Sequence, residues 1–592
     1  MTQQEHRKEV SLLKGLGVSP GIVIGKAYVI DSGRGDAVQQ YYVEPEAVKD
    51  EVERFKDAIK KSKVQLNDVR KLLAKEALGK EHLAIIDAHI MMINDQTLIN
   101  DTVRLVKNER KNAEWALMTV LDGILRIFEG VDDKYFKERS SDIAHIVDRI
   151  IMNLSGKEYH GIASIDSPVV VIAHDISPTD TAQMVKGKVL AFLTDVGGKT
   201  SHTAIMGRAL DIPAVVGLER VTRLAETGDT VIVDGSTGTV IVNPSESITA
   251  VYRKRRQRYE KYQQMLHQYN DLPAETTDGK VVSIQGNMEI VDEISSLVEH
   301  GVDGIGLYRT EFLYLDRKEL PTEEEHLAAY RYVVKKLEGR PVVIRTLDVG
   351  GDKVLKHGED FGETNPALGL RAIRFSLRHR EIFKTQLRAI LRASAFGKIK
   401  IMFPMISGLE ELMRAKAVLN EAREELRAEG HGFDEKVEVG IMIEVPSAAA
   451  IADILAEEAD FFSIGTNDLV QYSIAIDRVN EHVAYLYEPL HPAILRLIKG
   501  VVDAAKRRGI EVSVCGEMAG EPEYALLFLG MGITKLSMNA FSVLKVKKLI
   551  RSVSYGESME LTVKVFAMKT AKEIEACLVS HLADFYKEEY MM

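Results

Sequence analysis

Cysteine, long apolar runs and excess positive charge are all scarce in this chain of 592 residues. Its two cysteines, Cys515 and Cys577, cannot build a disulfide framework and fit a reducing cytoplasm. No uninterrupted apolar stretch approaches the ~18 residues of a membrane span. The polar opening MTQQEHRKEV has no apolar core of the kind a signal peptide needs. Lys+Arg 77 against Asp+Glu 88 leaves a net charge of −11, which argues against a general nucleic-acid or membrane-surface binder. What is present is ordinary globular material, 45% hydrophobic and 28% charged, so a disordered or collagen-like chain is excluded. The length exceeds one core, and two to four domains are expected. The expectation is a multidomain cytoplasmic protein that binds neither nucleic acid nor membrane.

Along the chain the periodicity changes three times. Residues 11–31 (SLLKGLGVSPGIVIGKAYVID) read as short β-branched strands between Gly/Pro turns. From about Val43 to Ser155 glycine becomes rare and apolar residues recur at i, i+3, i+4, as in WALMTVLDGILRIF, which predicts several antiparallel helices. Strand signals return at SPVVVIAHDI, KVLAFLTDV, DIPAVVGL and DTVIVDGSTGTVIVN. Residues 1–35 and 156–244 therefore read as one α/β domain interrupted by a helical subdomain at 36–155. A glycine-free helix is expected over 245–272, and its run Arg253, Lys254, Arg255, Arg256, Arg258 reads as a solvated face in an acidic chain. Residues 273–592 alternate strands and helices: VVSIQGNM, GIGLYR, VVIRTLDV, KIMFPMI, VGIMIEV, FFSIGTND and EVSVCGEM, with LGLRAIRF as a weaker eighth. Eight such units predict a (β/α)8 TIM barrel.

Five polar residues stand where apolar strand runs end in that half: Arg309, Arg345, Glu444, Asp468 and Cys515. Strand C-terminal ends of such a barrel converge on the face that carries active sites. Rim salt bridges are the competing reading, set against the cost of gathering that many polar groups at one mouth without a ligand. Arg309 and Arg345, joined by Arg371 and Arg478, can fork onto phosphate or carboxylate oxygens. Glu444 and Asp468 are a plausible pair of hard oxygen ligands for Mg²⁺. The residue types together imply a small, multiply anionic, phosphate-bearing substrate. Cys515 could donate a proton at the same mouth, or be a buried inert thiol.

The α/β domain offers a different device. In GGKTSHTAIMGRAL, His202 follows Gly197-Gly198 at the start of an expected helix, where a phosphoryl group on the imidazole would be favoured. A surface or capping histidine is the plainer alternative.

In combination, SPGIVIGKA, GGKTSHTAIMGRALDIPAVVG, GIGLYRTEFL, NPALGLRAIR, IMIEVPSAA, SIGTNDLVQY and SVCGEMAG resemble, in order, the signatures of Enzyme I of the bacterial phosphoenolpyruvate-dependent sugar phosphotransferase system. The resemblance covers nearly the whole chain. It implies that His202 accepts phosphoryl from phosphoenolpyruvate, with Thr181 near it in the resting arrangement. It implies substrate binding by Arg309, Arg345, Arg371, Asn467 and Arg478, Mg²⁺ on Glu444 and Asp468, and Cys515 as proton donor to enolpyruvate. It further implies that the helical subdomain docks the phosphocarrier protein HPr, that the barrel forms a homodimer, and that the 245–272 segment hinges between two phosphoryl transfers. Lys199 stands where many relatives carry Arg, and VNE follows Arg478 where a glycine is common; neither change removes a reacting group. A dikinase would need a further nucleotide-binding domain, and no P-loop pattern is present. The remaining alternatives are a sensor that binds phosphoenolpyruvate without reacting and a nitrogen-branch Enzyme I with another HPr-like acceptor.

Overall fold

The computed structural model describes residues 10–30, 39–75, 86–87, 89–129, 134–156, 165–176, 187–198, 204, 207–208, 212–314, 319–350, 365–478, 480, 482–583 and 585. The chain divides into two compact units, Met1–Tyr259 and Glu260–Met592. In the first, eight strands form one mixed sheet: β1 (Ser11–Lys14), β2 (Leu16–Ser19), β3 (Ile22–Val29), β4 (Val169–Ala173), β5 (Val189–Thr194), β6 (Ala214–Val216), β7 (Thr230–Asp234) and β8 (Thr239–Val242). Their spatial order is β1-β8-β7-β3-β4-β5-β6-β2. β4 and β5, VVVIA and VLAFLT, are buried almost throughout, as continuous apolar runs in a covered parallel sheet must be.

β3 pairs in parallel with β4, Ala27 opposite Val170. Between these spatial neighbours the chain builds helices α1 (Val48–Lys75), α2 (Gln96–Glu109), α3 (Ala113–Glu129) and α4 (Lys134–Leu154). Phe55, Leu66, Leu117, Ile146 and Ile150 put their apolar stripes into a shared core. Asp95 caps α2, its carboxylate accepting the N–H groups of Thr97 and Leu98 at 2.7 and 3.2 Å. Helix α5 (Glu246–His267) realises the expected glycine-free helix. Its Tyr252 is buried with Ile232 and Ile241 of the sheet, and its Tyr262 and Leu266 with the core of the second unit. Residues 253–258 are exposed, so the basic run is a solvated face.

The second unit opens with the two-residue β9 (Ala274–Glu275). Parallel strands β10 (Val281–Met288), β11 (Ile305–Tyr308), β12 (Val342–Arg345), β13 (Ile399–Phe403), β14 (Glu438–Ile443), β15 (Phe461–Ile464), β16 (Glu511–Val514) and β17 (Lys535–Met538) follow. Each pairs with the next, and β17 returns to β10, closing an eight-stranded barrel. The expected TIM barrel is therefore observed, with one correction. LGLRAIRF is no strand: Pro366–Leu368 is a single 3₁₀ turn and Ala372–Arg378 a helix, whose apolar character comes from burying Ile373, Phe375 and Leu377. The eighth strand is KLSM at 535–538. Only four residues long, it carries Lys535 and Ser537 among its apolar positions, which hides it from a hydrophobic scan.

The barrel interior is layered. At the N-terminal end Lys400 reaches Glu438 and Glu511 at 2.5 and 3.2 Å, and Lys535 reaches Glu511 at 2.6 Å. Above them Leu307, Val343, Met402, Met442, Phe461 and Cys515 form an apolar layer. Gly440 makes room for it: a Cβ there would sit 2.5 Å from the Phe461 ring. Outside the barrel, helices α6 (Glu323–Lys336), α7 (Arg380–Ser394) and α8 (Leu409–Ala428) are laced by Arg388, which pairs with Glu323, Glu425 and Glu429. Among the described residues no helix is long and apolar enough to cross a membrane.

Candidate active site

Alternation along the strands decides which side chains meet at the barrel mouth. On β12, Val342 and Ile344 pack outward into the main core, while Val343 belongs to the interior layer and Arg345 ends the strand on the same side. Arg309, Glu444 and Cys515 each directly follow the last residue of β11, β14 and β16. Asn467 and Asp468 lie in the first turn of helix α9 (Thr466–Ile474), which follows β15. Arg371 enters through an isolated antiparallel bridge to Gly350.

These residues share one web of charge. Arg345 Nη1 lies 2.7 Å from Asp348 and its Nη2 2.8 Å from Glu311. The other Asp348 oxygen accepts from Arg371 Nη2 at 2.9 Å. Arg309 pairs with Glu289. Asp348, Glu444 and Asp468 present carboxylate oxygens within 4.8 Å of one another, contributed by the segments that follow β12, β14 and β15. That donor set, hard oxygens held close together, fits a divalent cation.

Burial sharpens the electrostatics. Desolvation, with Asp348 and Asp468 nearby, pushes the Glu444 carboxyl up to about 8, although the N–H of Met405 donates to it at 2.6 Å. Burial acts against the charge of Arg345, but Asp348, Glu311 and Glu444 more than offset it and hold the guanidinium above its usual range. Arg371 is raised for the same reason by Asp348 and Asp468. Desolvation and the neighbouring Arg345 lower Arg309. The buried Nε donors of Arg345 and Arg371 have no hydrogen-bond partner. Two orphaned guanidinium donors beside carboxylates that fit a cation suit a ligand with anionic oxygens. Backbone strain falls here too: Ala372 and Met405, one residue from Arg371 and hydrogen-bonded to Glu444 respectively, hold φ of 52° and 54°.

Asn467 and Arg478 form a second cluster at the mouth. Asn467 Nδ2 donates to Glu517 at 3.1 Å, and Arg478 approaches the same carboxylate at 3.4 Å. The Tyr487 hydroxyl, raised to about 12 by burial, donates to the Asn467 carbonyl. Cys515 is 1% exposed, and burial pushes its thiol up to about 11. It therefore stays protonated across the neutral range. Its carbonyl accepts the Asn287 amide at 2.8 Å.

Sequence reasoning missed Asp348, Glu311, Glu289 and Glu517. Asp348 lies three residues beyond its strand, where an aspartate reads as a turn residue; only its i+3 spacing from Arg345 hinted at a partner. His202, Thr181 and Lys199 lie outside the described residues. Of the segment leading to His202, Asp195 is described. It accepts from the Thr222 N–H at 3.2 Å and pairs with His174 at 3.3 Å, and Gly197 follows with φ 116°.

Three family models match the chain: PEP-utilising enzyme, N-terminal, over residues 14–139; PEP-utilising enzyme, mobile domain, over 165–238; and PEP-utilising enzyme, PEP-binding domain, over 263–555. The phosphoenolpyruvate-protein phosphotransferase of Staphylococcus carnosus (strain TM300) is 44% identical over 562 residues, 95% of this chain and 97% of that one. The chain belongs to the phosphoenolpyruvate-protein phosphotransferase family. The Geobacillus stearothermophilus member is likewise 44% identical, over 566 residues that cover 95% of this chain and 96% of its own. A solution NMR structure of Enzyme I (nEIt) aligns at a TM-score of 0.34, with 40% identity over 42% of this chain and 99% of its own. The barrel mouth lies wholly within the stretch matched by the PEP-binding domain.

Proposed function

We propose that this enzyme transfers the phosphoryl group of phosphoenolpyruvate to its own His202 and then to a histidine of the phosphocarrier protein HPr, releasing pyruvate. The observation that carries the reading is the mouth itself, where buried arginines with unpaired Nε donors stand beside three carboxylates within 4.8 Å. Phosphoenolpyruvate combines the chemistries this mouth suits, a phosphate and a carboxylate on three carbons. Arg309, Arg345 and Arg371 would hold the phosphate and carboxylate oxygens, with Asn467 and Arg478 closing the opposite rim. Glu444 and Asp468, with Asp348, would hold Mg²⁺, which when bound supplies charge neutralisation at the phosphoryl oxygens.

An imidazole nitrogen of His202 bonds to phosphorus as the bond from phosphorus to the enol oxygen breaks, and the electron pair stays on the enolate. The Cys515 thiol, kept protonated by burial, gives its proton to the enolate carbon to form pyruvate. Arginines already gathered at the mouth would stabilise the charge that moves. The domain reading belongs to the same proposal: residues 1–35 with 156–244 carry the phosphohistidine, 36–155 dock HPr, 245–272 hinge, and 273–592 bind substrate and form the homodimer. Sedimentation of the intact protein checks the dimer.

Incubation with Mg²⁺ and ³²P-phosphoenolpyruvate, without ATP, tests the reading. Wild type should acquire acid-labile, base-stable label with release of pyruvate, and His202→Ala should acquire none. Bound phosphoenolpyruvate without label would favour a sensor, and label that requires ATP a dikinase.

A further inference from the structure

Behind the mouth, where no substrate reaches, a single amide ties together the two strand-end turns that carry the arginines. Gln386, on α7, is fully buried, as is Thr310. Its Oε1 accepts the Leu347 N–H at 3.0 Å. Its Nε2 donates to Thr310 Oγ1 at 2.9 Å and to the Tyr330 hydroxyl at 3.3 Å. Thr310 in turn donates to the Arg345 carbonyl at 2.9 Å. The chain of bonds ends at His326, whose Nδ1 lies 3.0 Å from the Tyr330 hydroxyl inside a stacked pair of rings.

Both turns are thereby pinned from outside the barrel. Thr310 stands between Arg309 and Glu311, and Leu347 stands between Arg345 and Asp348. Glu311 completes the lock: it accepts from Arg345 Nη2 and, at 3.1 Å, from the Asp348 N–H. A buried amide with its acceptor and both of its donors used has one stable orientation. A neutral glutamine also adds no charge to a mouth already crowded with ions. We infer that Gln386 is a positioning residue for the phosphate-binding arginines, acting through Thr310 and the Leu347 amide on Arg345 and Asp348. This rests on the reading of the mouth as the phosphoenolpyruvate site.

Calorimetric titration of phosphoenolpyruvate with Mg²⁺ into the intact protein tests it, with Tm measured beside each variant. Gln386→Leu and Thr310→Val should bind about tenfold more weakly, the scale of a buried hydrogen bond lost. Thr310→Ser should recover most of that loss. Ser394→Ala, at the far end of the same helix, removes the hydroxyl oxygen that accepts the Asp434 N–H at 2.8 Å and touches neither turn nor Gln386; its Tm should fall while its affinity stays at the wild-type value. Amide exchange at Leu347 should accelerate in Gln386→Leu alone. A Gln386→Leu protein that binds as wild type does, or a Ser394→Ala protein weakened equally, overturns the inference. So does a Leu347 amide equally protected in both. If Gln386→Leu does not fold, Thr310→Val against Thr310→Ser decides. Wild type that binds no phosphoenolpyruvate overturns the functional reading first, and the positioning role with it.

Discussion

Asp348→Asn isolates one carboxylate charge at the centre of the mouth. Asp348 is 7% exposed and receives Arg345 and Arg371 at 2.7 and 2.9 Å. Burial favours protonation of its carboxyl, but these guanidiniums, with Arg309, outweigh it and hold the group below the usual range. Breaking a buried pair costs about 3–5 kcal/mol, because a buried charge is left uncompensated. Asparagine keeps one acceptor oxygen and Glu311 still holds Arg345, so the lower end, about 3 kcal/mol, is the expected loss. With a urea slope of about 3 kcal/mol per M, the barrel midpoint should fall by about 1 M. The chain contains a single tryptophan, Trp115, and it lies in the first unit. Fluorescence therefore follows that unit alone while far-UV circular dichroism follows both. The expected result is an unmoved fluorescence transition and a shifted barrel transition. Arg427→Gln, which breaks an exposed 2.6 Å pair with Glu435, should move neither, since such pairs contribute about 0–1 kcal/mol. An unshifted barrel in Asp348→Asn, or an equal shift in Arg427→Gln, would refute the premise that burial makes this pair matter.

Four further outcomes follow from the same geometry. Because Glu444 holds its proton up to about pH 8, a divalent cation bound as proposed would have to displace that proton. Mg²⁺ affinity should therefore rise about tenfold per pH unit up to that value and then level off, as read by calorimetry; a flat profile would contradict it. The same raised carboxyl means the native state keeps a proton that the unfolded chain has released. Metal-free stability should then fall as pH climbs from the ordinary carboxylate range towards 8, a slope that Glu444→Gln should flatten in urea titrations at several pH values. At Gly516 a Cβ would meet Thr466 Oγ1 at 1.8 Å and its backbone nitrogen at 2.8 Å. Gly516→Ala should accordingly lower Tm and disturb the turn leading to Asn467, and a Tm equal to wild type would show that the turn yields freely. Iodoacetamide at neutral pH should modify the half-buried Cys577 well before Cys515, whose thiol is both buried and raised to about 11; mass spectrometry showing the reverse order would exclude a sealed thiol.

Much of the architecture was legible because hydrophobic periodicity is local. The 3.6-residue stripe of 43–155, the continuous apolar runs of β4 and β5 and the glycine-free α5 each carry their own signal within about a dozen residues. Strand ends were legible too, which is why Arg309, Arg345, Glu444 and Cys515 read as one group from the chain alone. Local reasoning failed where polarity was produced by the fold. KLSM is a strand because β16 and β10 already flank it, not because its four residues insist on it. LGLRAIRF looked like a strand because a short buried helix also concentrates apolar residues.

The sequence by itself determined the two kinds of unit, the family, and the chemical types of the reacting groups, all properties of residue order and spacing. Tertiary structure alone decided which of these groups touch. Asp348 joins Glu444 and Asp468 only once strands separated by about 120 residues close into one barrel, and Gln386 reaches Leu347 only because α7 carries it to the turn after β12. Pairing energies depend on distance and on exclusion of water, and neither is written along a chain until it is folded.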